Sequence, residues 1–502
     1  MNLLVDCKRI VLGAVLLVLF SGLSAGCTDL VQTNPNQETS STFFESQEDA
    51  VRSVNSVYNQ LASANGTYAQ WPYFMRDQRS DIGYSDSPWV DLSNLSKFTF
   101  AGGYDFEANL STWNDHYTTI GRANRVIANV PDISMDENLR ARLVGEAKFI
   151  RALMYFNLVN SYDDVPMPLD PGTAEERPEQ RPSEEVWDQI EQDLQDAQAV
   201  LPAKGEYAEE NERRATPGAA TALQGRPHLT QQDSEPAANT LGQVVSSGEY
   251  GLLDSYVENF DADDENHQES VFAIQFADES RLSDNIGAGN KGPKLFGPRQ
   301  IAFADGQPTR WYFNKFFEEE TVNGNVDPRL EATIFYNRDG GFNIFGTSYD
   351  ELYGDDSQEL FWKKYTEYYL DRQDFANPIN WQVIRYGSLL LEYADALNEA
   401  GRTNEAYAPM DQVRTRANLE PLSQVAPNLS QSEMQERIEH QILLETGVEG
   451  GRWRYMLRHE LFGTDLVDHD SEFQFYQDGR EYLPIPQSEI DLNPSIEQNP
   501  SY

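Results

Sequence analysis

The segment from Trp71 to Phe100 is rich in aromatic and polar side chains and shows little helical periodicity. Flat aromatic rings can cover the apolar faces of sugar rings, while amide, carboxylate and guanidinium groups satisfy the sugar hydroxyls. The segment therefore predicts a loop that binds carbohydrate. Its candidate ligand-binding residues are Arg79, Asp81, Tyr84, Trp89 and Asn94.

A second aromatic group at residues 310–313 adds Trp311 to these candidates. The alternative interpretation is that the rings are hydrophobic filling beneath long loops, because most aromatic side chains of any protein have that role. Both interpretations stay open on the sequence alone.

Catalytic chemistry has little support in the sequence. The six histidines are scattered without zinc-protease spacing, and no Gly-x-Ser-x-Gly elbow, phosphate loop or dinucleotide fingerprint occurs. Chance alone supplies many acid pairs among 82 carboxylates. The acidic run from Asp261 through Asp263 and Asp264 to Glu265 lacks the glycine-containing loop of a calcium site. We predict a binding protein that is not an enzyme and that uses neither a metal nor a cofactor.

The N-terminus predicts export and anchoring to a membrane. Two basic residues precede an apolar run, Ile10 to Phe20, that is too short to span a bilayer comfortably. Small residues then lead to Cys27 in a pattern that resembles a lipobox, although Ser24 stands where a larger apolar residue is usual. We expect residues 1–26 to be a signal peptide and residues 27–42 a tether acylated at Cys27. The alternative is an ordinary secretory signal.

The charge of the chain excludes one class of partner. There are 82 acidic and 38 basic residues, and only nine of the basic residues are lysines. A net charge of −44 repels nucleic acid, so DNA and RNA are excluded as partners. The composition resembles that of halophile proteins, in which salt screens self-repulsion. An acidic secreted protein without a halophilic origin is the alternative.

Helical periodicity dominates the rest of the chain, so we predict a mostly α fold. Residues 251–380 differ from the rest of the chain. Gly, Asp and Asn are more frequent there, and the apolar runs are short and strand-like, as at 271–276. The prediction is an irregular tetratricopeptide-like helical repeat scaffold with long loops and small β pieces. It divides into an N-terminal helical region at 43–250 and a C-terminal region at 251–502. Helices are predicted at 46–62, 110–130, 137–162, 185–201, 384–400, 404–418 and 432–445.

Four segments, in this order and spacing, resemble the SusD/RagB family. They are Glu146–Pro166, Ile384–Glu399, Glu449–Trp453 and the proline-rich tail Tyr482–Tyr502. Two departures from the family pattern stand out. Asp163 occupies a position where glycine is usual, and Pro227 interrupts a helix that is expected to continue. We expect arginines on these segments to have scaffold roles, with Arg151 and Arg385 either pairing with acids such as Glu146 or Glu392 or capping helix ends.

The resemblance implies a SusD-like fold and a lipid-anchored position in the outer membrane, facing the exterior. It also implies that the protein binds a nutrient, an oligosaccharide or polysaccharide, and delivers it to a TonB-dependent SusC-like transporter. Trp89 and Asn94 are similar to an aromatic residue and an asparagine in the early loop that binds starch in some members. The alternative within the family is a peptide-binding or purely transporter-associated subunit. One exposed cleft containing Tyr84, Trp89 and Trp311 would favour sugar, whereas a deep acidic groove would favour a cationic peptide.

Overall fold

The computed structural model describes residues 43–172, 177–262, 265–277, 289–369, 377–463, 469, 473 and 475–502. Ser46–Tyr502 forms one compact unit. The predicted signal peptide, the tether and Cys27 lie outside the described residues, as do Asp263 and Asp264 of the acidic run. Across the described part of the chain, every helix is too short or too polar to cross a membrane.

Helices are the main elements of the compact unit. The described α-helices are α1 Gln47–Ser63, α2 Pro72–Met75, α3 Val90–Ser96, α4 Glu107–Asn129, α5 Glu137–Tyr162, α6 Ser183–Gln198, α7 Pro217–Thr230, α8 Ser234–Ser246, α9 Gly292–Phe296, α10 Arg310–Lys315, α11 Arg329–Thr333, α12 Tyr349–Tyr353, α13 Tyr386–Glu399, α14 Thr403–Arg416, α15 Leu422–Val425, α16 Gln431–Thr446, α17 Gly451–Arg458 and α18 Gln487–Leu492.

The strands are short and form two-stranded antiparallel sheets. The pairs are β1 Gly83–Tyr84 with β5 Gln307–Pro308, β2 Val165–Pro166 with β3 Gln180–Arg181, β4 Ser270–Ile274 with β10 Trp381–Arg385, β6 Ile334–Phe335 with β9 Phe361–Trp362, and β7 Asn343–Ile344 with β8 Thr347–Ser348. The predicted mostly α fold with small β pieces is confirmed.

Successive long helices pack against one another along the chain. Helices α4 to α8 each contact the next one, and α8 then packs on α13, which joins the two halves of the sequence. Helix α13 also contacts α14 and α16. These neighbouring helices bury the apolar faces that the helical periodicity predicted. The division predicted at residue 250 stays a prediction.

The predicted helix positions agree with the structure to within a few residues, and the start of α1 shows why. The Ser46 side chain accepts a hydrogen bond from the backbone N–H of Asp49, and the Asp49 carboxylate accepts one from the backbone N–H of Ser46. One expectation was wrong. Helix α7 continues through Pro227 to Thr230, so the proline lacks its own N–H donor without ending the helix, and its carbonyl still accepts from the Gln231 N–H at 2.9 Å.

Arg151 and Arg385 both pair with acids, as predicted, but with acids other than Glu146 and Glu392. Arg151 forms an ion pair with Asp193 on the neighbouring helix. Arg385 binds three buried acids, Glu269, Glu445 and Glu449. Glu392 pairs instead with Arg226. We call the buried cluster around Arg385 the Arg385 network; its members are Arg385, Arg329, Arg416, Lys364, Glu269, Glu445, Glu449 and Asp327.

Candidate functional site

The pair of strands β1 and β5 places Tyr84 at the surface. Tyr84 lies opposite Gln307 in this ladder, and Gly83 lies opposite Pro308. The pair rests on the buried ring of Tyr73, whose hydroxyl accepts a hydrogen bond from Trp362 Nε1 at 2.6 Å. Glycine is required here, because a Cβ atom at Gly306 would lie 2.3 Å from Tyr73 Cε1. The close approach fixes β5 under the surface that carries Tyr84.

Thr309 connects this ladder to Arg310. Its hydroxyl donates to the carbonyl of Asp81 at 2.6 Å and accepts from the backbone N–H of Tyr312, which caps helix α10. Arg310, the first residue of α10, is therefore held at a fixed position beside β1. Its guanidinium donates to the carbonyl of Gln358 and lies over the Phe313 ring, 5.0 Å from the centroid.

Tyr353 and Arg299 form the opposite side. The Tyr353 ring packs against Phe361 with a centroid distance of 5.0 Å, and its hydroxyl donates to the carbonyl of Arg299. Burial raises the pKa of Tyr353, so this hydroxyl stays protonated at neutral pH. The Arg299 guanidinium donates to Gln307 Oε1 at 3.2 Å. Arg299 is thus tied to the same strand that pairs with Tyr84.

These groups enclose an open cleft of about 670 Å³, which we call the Tyr84 cleft. Two serines fix the segment that carries Asp86, because the Ser85 and Ser87 hydroxyls both donate to Asp305, at 2.5 Å each. The residues that line the cleft are Tyr84, Asp86, Arg299, Gln300, Pro308, Arg310, Leu352, Tyr353, Ser357, Gln358, Glu359 and Leu360.

The lining suits a polyhydroxylated ligand. Tyr84 and Tyr353 are partly buried rings that can cover an apolar face. Arginine and glutamine side chains supply hydrogen-bond donors, and the exposed carboxylates of Asp86 and Glu359 supply acceptors. Within the described residues, no cluster of His, Cys, Asp and Glu is arranged to hold a metal ion.

The structure places Arg79 and Asp81 in the core, where a ligand at the surface does not reach them. Arg79 is fully buried; its guanidinium lies 4.3 Å from the Trp453 ring centroid and donates to the carbonyls of Arg480 and Glu481. Burial lowers the pKa of Arg79 to about 10. Fully buried Asp81 binds Arg452 Nη2 at 2.5 Å. We correct the ligand-binding prediction for these two residues, because both have structural partners.

The carboxylate of Asp81 also sets the position of Trp311. Burial alone would raise the pKa of Asp81, but the Arg452 guanidinium and His469 outweigh that effect and lower it. His469 Nδ1 lies 2.9 Å from Asp81 Oδ2. The partly buried Trp311 ring stacks on the His469 ring, with centroids 3.9 Å apart. Trp311 is thus accessible only in part, and it is not among the residues that line the Tyr84 cleft.

Trp89 and Asn94 are partly buried and lie near each other in the chain, at the start of and within helix α3. The Trp89 ring meets the buried Trp71 ring edge to face, with centroids 5.7 Å apart. Asn94 Oδ1 accepts a hydrogen bond from Thr99 Oγ1 at 3.0 Å. Neither residue lines the Tyr84 cleft. Their ligand contacts stay predictions.

Of the six candidates, Tyr84 alone lines the cleft; the other lining residues were not predicted. Three of them, Arg299, Tyr353 and Glu359, lie in the segment that is rich in Gly, Asp and aromatic residues. That composition predicted loops but did not indicate which residues would bind a ligand. The short helix α12, capped by Ser348, orients Tyr353. The local sequence signal for this helix was Ser348, directly before Tyr349, because serine is a preferred helix N-cap.

Two family models match separate parts of the chain. Residues 268–502 match the model described as the SusD family. Residues 29–229 match the model described as starch-binding associating with outer membrane. A curated relative, SusD-like protein P25 from Formosa agariphila, is 25% identical over 94% of this chain and 94% of its own length.

Solved structures share the fold. A SusD superfamily protein from Bacteroides vulgatus aligns with a TM-score of 0.82 at 23% identity, covering 92% of this chain and 100% of that one. A laminarin binding SusD-like protein aligns with a TM-score of 0.74 at 25% identity, covering 91% and 100%. Surface glycan-binding protein A from Bacteroides fluxus aligns with a TM-score of 0.75 at 22% identity, covering 91% and 100%.

Proposed function

Because the chain belongs to the SusD/RagB family, we propose that it binds a glycan in the Tyr84 cleft. The observation that carries the proposal is the combination of two accessible tyrosine rings, Tyr84 and Tyr353, with fixed hydrogen-bond donors and acceptors in one open cleft. The names of the relatives agree with it, since one binds laminarin and another is a surface glycan-binding protein. The ligand would be held by stacking and hydrogen bonds, with no bond broken.

The cleft favours sugar over the peptide alternative. A cationic peptide would require a deep acidic groove without exposed rings, whereas this cleft is open and carries both arginines and carboxylates. A cleft shared by Tyr84, Trp89 and Trp311 would have favoured sugar; Trp89 and Trp311 are not among the residues that line this one, and Tyr353 supplies the second ring. Peptide binding remains an outcome of the titration described below.

Delivery to a TonB-dependent SusC-like transporter is part of the proposal and rests on family membership. The family model that matches the N-terminal part is described as associating with the outer membrane, which supports a position at that membrane.

We propose that Cys27 carries the lipid anchor. Replacing it by Ala should abolish incorporation of labelled fatty acid and move the protein from the detergent phase to the aqueous phase. Unchanged partitioning would contradict the anchor.

The direct test is calorimetric titration of the chain from Thr28 onward, which keeps the whole compact unit, with a panel of oligosaccharides and peptides. We expect saccharide binding that Tyr84→Ala or Tyr353→Ala weakens at least tenfold. Tyr393→Ala is the matched control, since Tyr393 is a partly buried tyrosine beside Gly242 on the helical scaffold.

Trp89→Ala distinguishes the cleft from the site predicted by sequence alone. If Trp89→Ala abolishes saccharide binding while Tyr84→Ala and Tyr353→Ala do not, the site lies at helix α3 and the cleft assignment is wrong. Binding of peptides without binding of any saccharide would support the alternative role within the family.

A further inference from the structure

Two exposed arginines, Arg299 and Arg310, line the Tyr84 cleft. Some other arginines at the surface, such as Arg52, Arg181 and partly buried Arg402, form an ion pair with a nearby carboxylate. Acidic residues outnumber basic ones by 82 to 38, so such a partner is easily found. Within the described residues, the guanidinium groups of Arg299 and Arg310 instead donate only to the uncharged oxygens of Gln307 and Gln358.

Those two bonds orient the arginines without neutralising them. Each guanidinium has five N–H donors in a planar fork, and one nitrogen atom of each is engaged by the protein. The remaining donors match the spacing of two oxygens on a carboxylate or a sulfate. Both arginines line the same cleft. Within the described residues, a ligand there can therefore reach two oriented cations whose hydrogen bonds go to uncharged oxygens.

We infer that the Tyr84 cleft selects a glycan that carries an anionic group, and that Arg299 and Arg310 bind this group. The shared chemistry is that of a uronic acid carboxylate or a sulfate ester on a sugar ring. This inference rests on the proposed function and adds the charge class of the ligand.

The charges around the cleft set a limit on the ligand. Asp86 and Glu359 also line it, so the charged lining groups balance, while the chain as a whole carries −44. The cleft is thus less repulsive to an anion than the average surface. Asp86 and Glu359 can accept hydrogen bonds from hydroxyls. The arrangement therefore fits a glycan in which one anionic sugar residue is flanked by neutral, hydroxyl-rich sugar residues. It fits less well a polysaccharide in which every sugar residue is charged.

The test compares matched pairs of probes that differ in charge. A galacturonic acid hexasaccharide is paired with its methyl ester, and a sulfated galactan hexasaccharide with its desulfated form. We expect one charged member to bind at least tenfold more tightly than its neutral partner. That affinity should fall at least fivefold when NaCl is raised from 0.1 to 1 M. The uronate and sulfate pairs separate the two sources of charge.

Arg299→Gln and Arg310→Gln should each remove at least tenfold of the affinity for the charged probe and leave the neutral partner unaffected. Arg181→Gln is the matched control, because Arg181 is exposed and pairs with Glu179 and Glu185 outside the cleft. Thermal unfolding checks that the variants are folded. Equal or tighter binding of the neutral probes overturns the inference and leaves the proposed function intact. Absence of binding by every saccharide, neutral or charged, overturns both.

Discussion

Arg385 Nη1 lies 2.6 Å from Glu445 Oε1, in an ion pair whose two side chains are both inaccessible to solvent. The same glutamate binds Arg329 Nη1 at 3.2 Å and also contacts Arg416. Burial alone would raise the pKa of Glu445, but the three guanidinium groups outweigh it and lower the pKa well below its usual value. Strand β10 and helices α11, α14 and α16 are joined through this one carboxylate.

Glu445→Gln should therefore destabilise the protein strongly. The substitution leaves buried cations without their shared counterion, a change that costs about 3 to 5 kcal/mol when one partner of a buried pair is removed. The free energy of unfolding measured in urea checks the expectation. The control is Glu436→Gln on the exposed face of the same helix, which should change it by less than about 0.5 kcal/mol. A small effect of Glu445→Gln would show that the network is not needed for stability.

Asp77 should make stability fall as pH rises from about 4 to about 7. Burial raises the pKa of Asp77 from 3.8 to about 7, and the Gly450 N–H, 2.7 Å from Oδ2, opposes this only in part. Between these values the folded state keeps a proton that the unfolded state has lost, so folding is favoured at the acidic end. From pH 5 to pH 7 this group should cost about 2 to 3 kcal/mol.

Asp77→Asn should remove that part of the pH dependence. The measurement is the change in the free energy of unfolding between pH 5 and pH 8, determined for the variant and for the parent protein. The comparison with the parent protein is essential, because burial lowers the pKa of His116 and His440 to about 4, and both act in the opposite direction. Asp254→Asn, at an exposed position, serves as the control. Parallel pH profiles for Asp77→Asn and the parent would refute the prediction.

A pair of glycine substitutions tests the packing beneath the Tyr84 cleft. Gly306→Ala should destabilise the protein by about 1 to 3 kcal/mol, because its Cβ would collide with the buried Tyr73 ring. It should also weaken glycan binding by shifting β5. Gly121→Ala, in the middle of α4, meets nothing within 4 Å and should stabilise by about 0.5 to 1 kcal/mol. Thermal and urea unfolding of both variants measure the contrast, and equal effects would contradict it.

Salt should stabilise this chain. A net charge of −44 opposes the compact state through self-repulsion, and the Debye length falls from about 10 Å at 0.1 M salt to about 3 Å at 1 M. We expect the urea midpoint to rise steadily between 0.1 and 2 M NaCl. Sucrose at the same osmolality is the control: it is excluded from the protein surface but does not screen charges, so it should raise the midpoint less than NaCl does. A midpoint that does not change with NaCl would remove the support for a halophilic origin.

The long helices were predictable because their determinants are local. Apolar residues at three- and four-residue spacing define α5, and a capping box defines the start of α1. The partners of Arg385 were not predictable, because Glu445 lies 60 positions away and its neighbours in the sequence give no indication of the pairing. The Tyr84 cleft was missed for a similar reason. Its lining comes from separate short segments brought together by β1, β5 and α12, none of which has a periodic pattern.

Arg79 binds carbonyl groups 401 and 402 positions later in the chain. A polypeptide is synthesised from its N-terminus, so these acceptors do not exist until residues 480 and 481 have been added. Until then the guanidinium cannot enter the core without leaving donors unsatisfied, which is costly. The region around Arg79 must therefore stay open for most of synthesis. Late closure of this region would suit the export in unfolded form that the N-terminal sequence predicts.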